Sequence, residues 1–272
     1  MRSLVVAIGL LAFTASADAK PRRAKKTVAS KIEKSSKSSK RAKTADKSRG
    51  KKRSRIAMGT RKHPRVEIHG PIVGQSVGAP WSGWLRDAAK LEEGDGWYIR
   101  RPYRAYGTRT TVDYVQRVLG DIADRFPDIH DIAVGDISAE HGGRISEHSS
   151  HQSGRDIDVG LIFTEKPAGY PSSFVTGTAD NLDLEATFVL VEEFAKTSAD
   201  SGGVQMIFLD FKVQGLLYNW ALENGETEDY LAKLFQFPHG RGSSEGIVRH
   251  EPNHTDHIHV RFRCPAGDSA CR

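Results

Sequence analysis

The chain has 272 residues, of which 38% are hydrophobic and two are cysteine. This length suffices for one sizeable hydrophobic core or for two small ones. Two cysteines exclude a disulfide-rich scaffold and a zinc site built from four cysteines. No apolar run approaches ~20 residues, so the sequence predicts no transmembrane anchor.

The charge is distributed unevenly along the chain. The net charge is +6, but residues 20–65 contain 20 Lys and Arg against two acidic residues, which gives +18. Residues 66–272 contain 19 Lys and Arg against 31 acidic residues, which gives −12. The basic isoelectric point therefore describes a tail rather than a folded domain.

Residues 1–19 have the parts of a secretory signal peptide. A short start with Arg2 precedes an apolar run of ten residues, 4–13, and Ala17-Asp18-Ala19 supplies the small residues that signal peptidase requires. We predict cleavage before Lys20 and export of the chain. The alternatives are a buried N-terminal helix and a membrane anchor. Ten apolar residues are too few for a membrane anchor.

Residues 20–65 read as a low-complexity tail of Lys, Arg, Ser and Ala with few large apolar residues. Such a segment cannot bury enough surface to offset the entropy of ordering, so we expect disorder. The block 51–55 resembles a nucleic-acid-binding patch. In an exported protein, however, we expect an anionic envelope polymer as the partner and no nucleic acid; a solvated linker is the alternative.

The folded domain is predicted to cover residues 66–272. Apolar residues at steps of three and four predict helices over 110–126, 184–199 and 214–222. Thr110 or Thr111 could cap the first of these. Short β-like runs lie at 132–137, 157–163, 204–209 and 257–262. Helices and strands without a regular βαβ rhythm predict an α+β fold.

The two cysteines are predicted to form a disulfide. Cys264 and Cys271 flank a short segment with Pro265 and Gly267, which favour a turn. An exported chain meets oxidising conditions, so we expect these cysteines to close a small loop. Two free thiols are the alternative.

The first of two histidine-rich windows contains His148 and His151, followed by a strand-like run. Strand periodicity places Asp156 and Asp158 on one face of that run, opposite an aliphatic row. A buried carboxylate needs a partner, and a metal ion is one. Gly154 can make the bend that returns His151 over the strand.

The second window lies about a hundred residues further on and contains His254, His257 and His259. The strand period places His257, His259 and Arg261 on one face. Two imidazoles two residues apart can reach one ion, and zinc favours nitrogen ligands with some carboxylate oxygen. The two windows together predict one metal site assembled from distant segments.

Two motifs resemble a known family: His148-x-x-His151-Gln-x-Gly154-x-Asp156-x-Asp158 and His254-x-x-His257-x-His259-Val260-Arg261. They are similar to those of the penicillin-insensitive murein endopeptidases, which form a wider group with lysostaphin-type endopeptidases, D-Ala-D-Ala carboxypeptidases and the hedgehog signalling domain. The resemblance extends over most of residues 66–272 and includes the stretches 98–108 and 135–138. The long basic tail and the presence of only two cysteines depart from the family pattern.

The resemblance implies a role for each histidine of the motifs. One zinc ion per chain would be held by His151, Asp158 and His259. His257 would be the catalytic histidine. His148 and His254 would support the site. The implied fold is a small antiparallel sheet flanked by helices and loops, with zinc on its face. The implied substrate is the D-Ala–meso-diaminopimelate peptide cross-link of peptidoglycan, and the implied location is the periplasm.

Three protein ligands leave one tetrahedral position for water, whose pKa zinc lowers toward ~7. Muropeptides carry several carboxylates, and the candidates to hold them are Arg100, Arg101, Arg104 and Arg155. Each of them could also be an ordinary surface arginine.

Two other functions compete with the endopeptidase. The first is a D-Ala-D-Ala carboxypeptidase or dipeptidase on the same fold. Those relatives typically carry Glu-x-x-His near the second ligand, whereas this chain has His257-Ile258-His259. The second is a non-catalytic protein that binds wall polymer or nucleic acid through the basic tail.

Overall fold

The computed structural model describes residues 74–272. The predicted signal peptide, the predicted disordered tail and residues 66–73 of the predicted domain lie outside the described residues. In chain order the described elements are β1 (Gln75–Ala79), β2 (Ser82–Arg86), β3 (Ala89–Lys90), β4 (Trp97–Ile99), β5 (Tyr106–Gly107), α1 (Arg109–Arg125), β6 (Ile132–Val134), β7 (Asp156–Gly160), α2 (Leu184–Lys196), β8 (Val204–Phe208), α3 (Phe211–Glu223), α4 (Glu228–Leu234), β9 (Val248–Arg249) and β10 (His257–Phe262). Short 3-10 helices lie at Pro102–Arg104 and Thr197–Ala199.

A six-stranded sheet in the order β4-β6-β7-β10-β8-β9 forms the centre of the fold. Its middle strands β6, β7, β10 and β8 pair antiparallel. At the two edges β4 pairs parallel to β6, and β9 pairs parallel to β8. The α+β class is therefore confirmed, and the sheet is mixed rather than wholly antiparallel because both edge strands run parallel to their neighbours.

Helices cover the face of the sheet on which the apolar residues of β10 lie. Ile258, Val260 and Phe262 are fully buried. The ring of Phe262 lies 5.9 Å from Tyr114 of α1 and 6.4 Å from Phe194 of α2. Burying one such side chain contributes about 1.5–3 kcal/mol. Truncating Phe262 to alanine would therefore destabilise the fold by roughly 3–5 kcal/mol. The polar residues of β10 are left on the other face.

The helix ends are set by side chains that accept backbone hydrogen bonds. Thr108, and not Thr110 or Thr111, caps α1 by accepting the backbone N–H of Thr111. Asp183 and Asp210 cap α2 and α3 in the same way. The second predicted helix stops at Lys196 as an α-helix and continues only as a 3-10 turn. Helix α2 packs against α1, α3 and β8.

The N-terminal hairpin of β1 and β2 supports the loop before β7. Leu85 of β2 is buried. Gly154 has a φ of +71°, and a Cβ there would lie 2.8 Å from Leu85 Cδ1. The bend expected at Gly154 is thus present, and it requires glycine both for the backbone conformation and for the close approach.

The predicted disulfide Cys264–Cys271 is confirmed, with 5.7 Å between the two Cα atoms. The C-terminal segment that it closes lies against the hairpin, since the N–H of Gly78 donates to the carbonyl of Ala270 at 2.9 Å. Among residues 74–272, no helix has the length and apolar character needed to cross a membrane.

Candidate metal centre

The pairing of β7 with β10 brings the two histidine windows together. Asp158 lies opposite His259 in the antiparallel register, and Asp156 lies opposite Arg261. On an antiparallel pair, residues directly opposite each other present their side chains on the same face. The register therefore places the carboxylates of β7 beside the imidazoles of β10.

The Oδ1 atom of Asp158 lies at the centre of a histidine cluster. It is 3.3 Å from Nε2 of His151, 3.5 Å from Nδ1 of His259 and 3.7 Å from Nε2 of His257. Two ligands ~2.1 Å from one tetrahedral zinc ion are about 3.4 Å apart, because zinc bonds to N and O are ~2.0–2.2 Å long. The spacing around Asp158 matches that geometry.

The other ring nitrogen of each inner histidine faces an acceptor. Nδ1 of His151 lies 3.0 Å from the carbonyl oxygen of Ile137 and must donate, since a carbonyl only accepts. Nε2 of His259 lies 3.3 Å from Oδ1 of Asp156. The contact of His259 with Asp156 is an ion-pair distance without hydrogen-bond geometry. The bond to Ile137 favours the neutral His151 tautomer whose lone pair, on Nε2, points toward Asp158. Metal-binding histidines are typically held in this way.

Three buried side-chain atoms of the cluster have no hydrogen-bond partner within the described residues: Nε2 of His151, Oδ1 of Asp158 and Nε2 of His259. The first two face each other at 3.3 Å. Leaving a buried polar atom unsatisfied costs about 1–3 kcal/mol. A cation between these acceptors would satisfy both, and the set of two nitrogens and one oxygen suits zinc. The residues present therefore fit a zinc ion.

The ionisation of the cluster follows from burial and from neighbouring charges. Burial lowers and the Asp158 carboxylate raises the pKa of His151, with a net upward shift. His151 in turn holds the pKa of Asp158 low in spite of burial. Burial lowers the pKa of His259. Burial and neighbouring His257 lower the pKa of His254 to about 4, so His254 is neutral at pH 7.

Asp156 does not occupy the centre of the cluster, because other groups hold it. Its carboxylate accepts two hydrogen bonds from Arg261, at 2.7 and 3.2 Å, and one from the backbone N–H of His151 at 3.0 Å. That last bond stabilises His151 in a left-handed conformation with a φ of +63°, which is uncommon for a residue with a Cβ. Asp156 thus orients both His151 and His259.

His257 is oriented from two sides. Its Nδ1 lies 2.6 Å from Oδ1 of Asp256. The ring of Phe174 stacks on it with centroids 4.8 Å apart and planes at 15°. His254 lies on another side, with its centroid also 4.8 Å from that of His257. Nδ1 of His254 donates to the carbonyl of Pro252 at 2.9 Å. The free Nε2 of His257 is therefore turned toward Asp158.

His148 is placed at the outer side of the cluster by Asp136. Its Nε2 lies 2.9 Å from Oδ2 of Asp136 and 3.8 Å from Oδ2 of Asp158. The ligand atoms of His148, His151 and Asp158 lie within 4.8 Å of one another, so they form a second candidate metal-binding set. A third set, Asp136 with Glu147 and His148, already faces the guanidinium groups of two arginines.

The four arginines expected to bind substrate carboxylates have different surroundings. Arg155 is buried, and its guanidinium donates to Ser76 Oγ and to two backbone carbonyls, so it is a structural residue and the expectation for it is wrong. Arg104 is 2.8 Å from Asp136, and Arg101 is 2.7 Å from Glu147. Arg100 lines the same cavity as Arg101, beside His148 and His257.

The structure adds functional neighbours that periodicity did not single out. Phe174 lies in an irregular segment, and Asp136 follows β6 at a buried position. Asp256 directly precedes His257 in the sequence. Its position next to a candidate catalytic histidine was the one feature of the sequence that could have indicated its role. Nothing local in the sequence connects Phe174 to a histidine more than eighty residues away.

Buried His and Asp side chains on the face of a sheet supply the donor set of a catalytic metal site in a hydrolase. The family model described as penicillin-insensitive murein endopeptidase matches residues 76–210. The chain is thus similar to this family of peptidases, which confirms the resemblance found in the motifs. The matched range includes His148, His151 and Asp158 and ends before the second histidine window.

Individual relatives agree with the family match. A penicillin-insensitive murein endopeptidase of Klebsiella pneumoniae (strain 342) is 28% identical over 224 residues, covering 76% of this chain and 74% of the relative. That of Pectobacterium atrosepticum is 28% identical over 226 residues, covering 78% and 73%. That of Yersinia enterocolitica is 27% identical over 221 residues, covering 76% and 74%.

Proposed function

We propose that the protein is a zinc-dependent murein endopeptidase that hydrolyses the D-Ala–meso-diaminopimelate cross-links of peptidoglycan. The family supports a hydrolase that acts on murein. The single observation that carries the metal-dependent part is the set of histidine nitrogens 3.3–3.7 Å from Asp158 Oδ1. Within the described residues, the facing atoms His151 Nε2 and Asp158 Oδ1 are buried and have no hydrogen-bond partner.

We assign His151, Asp158 and His259 as the ligands of one zinc ion per chain. Their spacing around Asp158 and the tautomer of His151 favoured by Ile137 support this choice. His148 is the rival ligand, but its Nε2 already bonds Asp136 at 2.9 Å. A ligand must offer a free lone pair, which favours His259.

When bound, zinc supplies Lewis-acid chemistry that generates a nucleophile from water near neutral pH and polarises a carbonyl. His257 holds or moves the proton at Nε2, 3.7 Å from Asp158 Oδ1. Asp256 fixes its orientation, with its Oδ1 atom 2.6 Å from Nδ1 of the ring. Neutral His254 supports the ring of His257. His148, paired with Asp136, supports the outer side of the cluster.

We further propose that the protein works in the periplasm, after removal of residues 1–19. The Cys264–Cys271 disulfide fits an oxidising compartment. The tail of residues 20–65 would bind an anionic envelope polymer by charge, because it carries +18 next to a domain of −12.

The test is digestion of purified sacculi by the mature protein, with and without a chelator, followed by mass analysis of the products. We expect cross-linked dimers to be split into monomers, the chelator to abolish this, and zinc to restore it. Release of D-Ala alone would indicate a carboxypeptidase. Cleavage that survives complete zinc removal would refute the metal assignment. Binding to sacculi without any product would indicate a non-catalytic wall-binding protein.

A further inference from the structure

The arginines around the metal centre differ in whether their charge is already paired. Arg101, Arg104 and Arg261 each form an ion pair with a carboxylate of the site region. Within residues 74–272, Arg100 forms no such ion pair. Its one hydrogen bond is from Nε to the carbonyl of Ser172 at 3.1 Å. The two terminal amino groups of Arg100 are therefore free to bind an anion end-on, through two parallel hydrogen bonds.

The free guanidinium is held in a stack with the proposed catalytic histidine. The Cζ atom of Arg100 lies 4.1 Å from the centroid of Phe174, and the same ring stacks on His257 with centroids 4.8 Å apart. A cation over an aromatic face is attracted by the ring quadrupole, and stacking also limits the motion of the arginine. Arg100 and His257 are thus fixed relative to each other through Phe174.

Gly135 makes room for this stack. A Cβ at Gly135 would lie 2.8 Å from Cζ of Phe174 and 2.9 Å from Cβ of Asp158. Any larger residue would push Phe174 away from the metal centre. Because Gly135 lies close to both Phe174 and Asp158, it helps to fix the position of Phe174 relative to the proposed metal ligand.

The stack lines a cavity of about 300 Å³ that reaches the metal centre. Its lining includes Arg100, Ser173, Phe174, His148, Asp158 and His257. The remaining acidic residues of this cavity are paired: Asp136 and Glu147 with arginines, and Asp256 with His257. Of the two arginines that line this cavity, Arg101 pairs with Glu147, whereas Arg100 forms no ion pair within the described residues.

We propose that Arg100 binds the free carboxylate next to the scissile amide, and so selects substrates that carry this group. The proposal rests on the proposed function. In the cross-link, the amide nitrogen is attached to the diaminopimelate carbon that also bears a carboxylate. A substrate carbonyl at the metal centre therefore brings that carboxylate into the cavity beside His257. Arg100 is then a specificity residue that contacts the amine side of the bond.

The experiment compares two soluble cross-linked muropeptides that differ in one group. One has the free carboxylate next to the scissile amide, and the other has a carboxamide there. For the zinc-loaded wild-type protein we expect kcat/KM to favour the free carboxylate by roughly 10- to 100-fold, the value of a charged hydrogen bond. Arg100→Gln should remove the preference, and Arg100→Lys should restore part of it. Zinc content should stay unchanged in both variants.

The control is Arg109→Gln, which removes an exposed arginine of α1 that pairs with Asp113 away from the cavity. It should keep the full preference. If Arg100→Gln lowers kcat/KM equally for both substrates, Arg100 has a structural role and the inference is wrong. If the wild-type protein cleaves both substrates equally well, the inference fails while the endopeptidase function stands. If it cleaves neither, both proposals fail.

Discussion

His257 and His259 share one face of β10, yet we expect their removal to have different effects. His257→Ala leaves the three proposed ligands in place, so zinc content should stay near one ion per chain. Nε2 of His257 lies 3.7 Å from Asp158 Oδ1, and Asp256 orients the ring at 2.6 Å. Loss of an oriented general base lowers the rate by roughly 10²–10⁴-fold. This corresponds to about 3–5 kcal/mol of transition-state stabilisation.

His259→Ala should remove zinc and activity together. The variant loses a ligand and leaves Asp156 and Asp158, both buried, without the nitrogens that face them. The assay measures zinc per chain after dialysis, by atomic absorption, and kcat/KM on a soluble cross-linked muropeptide. His141→Ala is the matched control, because His141 is exposed and outside the cluster, and neither quantity should change.

Two results would refute this division of roles. If His257→Ala loses zinc in proportion to its activity, His257 is a ligand. If His148→Ala loses zinc while His259→Ala keeps it, the metal is bound by the second candidate set of His148, His151 and Asp158.

Three further predictions concern the surroundings of the site. Asp156→Asn should lower zinc affinity about 10- to 100-fold, measured by competition with a chromophoric chelator, because it weakens the support of His259. Although burial alone raises the pKa of Asp136, His148 and Arg104 give it a net downward shift. Its stabilising contribution is therefore full above the unfolded pKa of ~3.9 and is lost as pH falls through the lower folded value. Asp136→Asn should lower the free energy of unfolding by about 1–3 kcal/mol at pH 7, and by less at pH 3, in urea titrations of the zinc-loaded protein. A shortened chain beginning at Val66 should cleave soluble muropeptides at the rate of the mature protein but fail to co-sediment with sacculi at low salt. The mature protein should be released from sacculi at high salt, as the Debye length falls from ~10 Å at 0.1 M to ~3 Å at 1 M. Equal sedimentation of the two chains would contradict the role of the tail, and an inactive shortened chain would show that the catalytic fold needs it.

Hydrophobic periodicity was sufficient to predict the three longer helices and the central strands. Helix ends were less predictable, because Thr108 rather than Thr110 caps α1. Helix α4 has only seven residues, too few for a clear periodic signal. The hairpin of β1 and β2 was missed since much of its support comes from distant residues, such as Ala270 and Gly154.

The alternation of β7 predicted that Asp156 and Asp158 share a face, but it could not distinguish their roles. The distinction comes from the register with β10. Arg261 lies opposite Asp156 and pairs with it, whereas His259 lies opposite Asp158. Strand register depends on the whole sheet, so it is not visible in either motif alone.

The position of Phe174 could not be predicted from the sequence for a different reason. It belongs to no helix or strand, and its contact with His257 exists only because the chain returns across the sheet. A local pattern contains no information about such a long-range approach. Gly135, which makes room for Phe174, is equally unremarkable in the sequence.

The position of β10 between β7 and β8 has a consequence for the order of assembly. Both neighbours precede β10 in the chain, so the middle of the sheet stays open until that late strand has been synthesised. His257 and His259 arrive with it, and a shorter nascent chain holds only His148, His151 and the two carboxylates of β7. We therefore expect the complete histidine cluster to form only when nearly the whole chain is available, so that an incomplete chain has no metal centre.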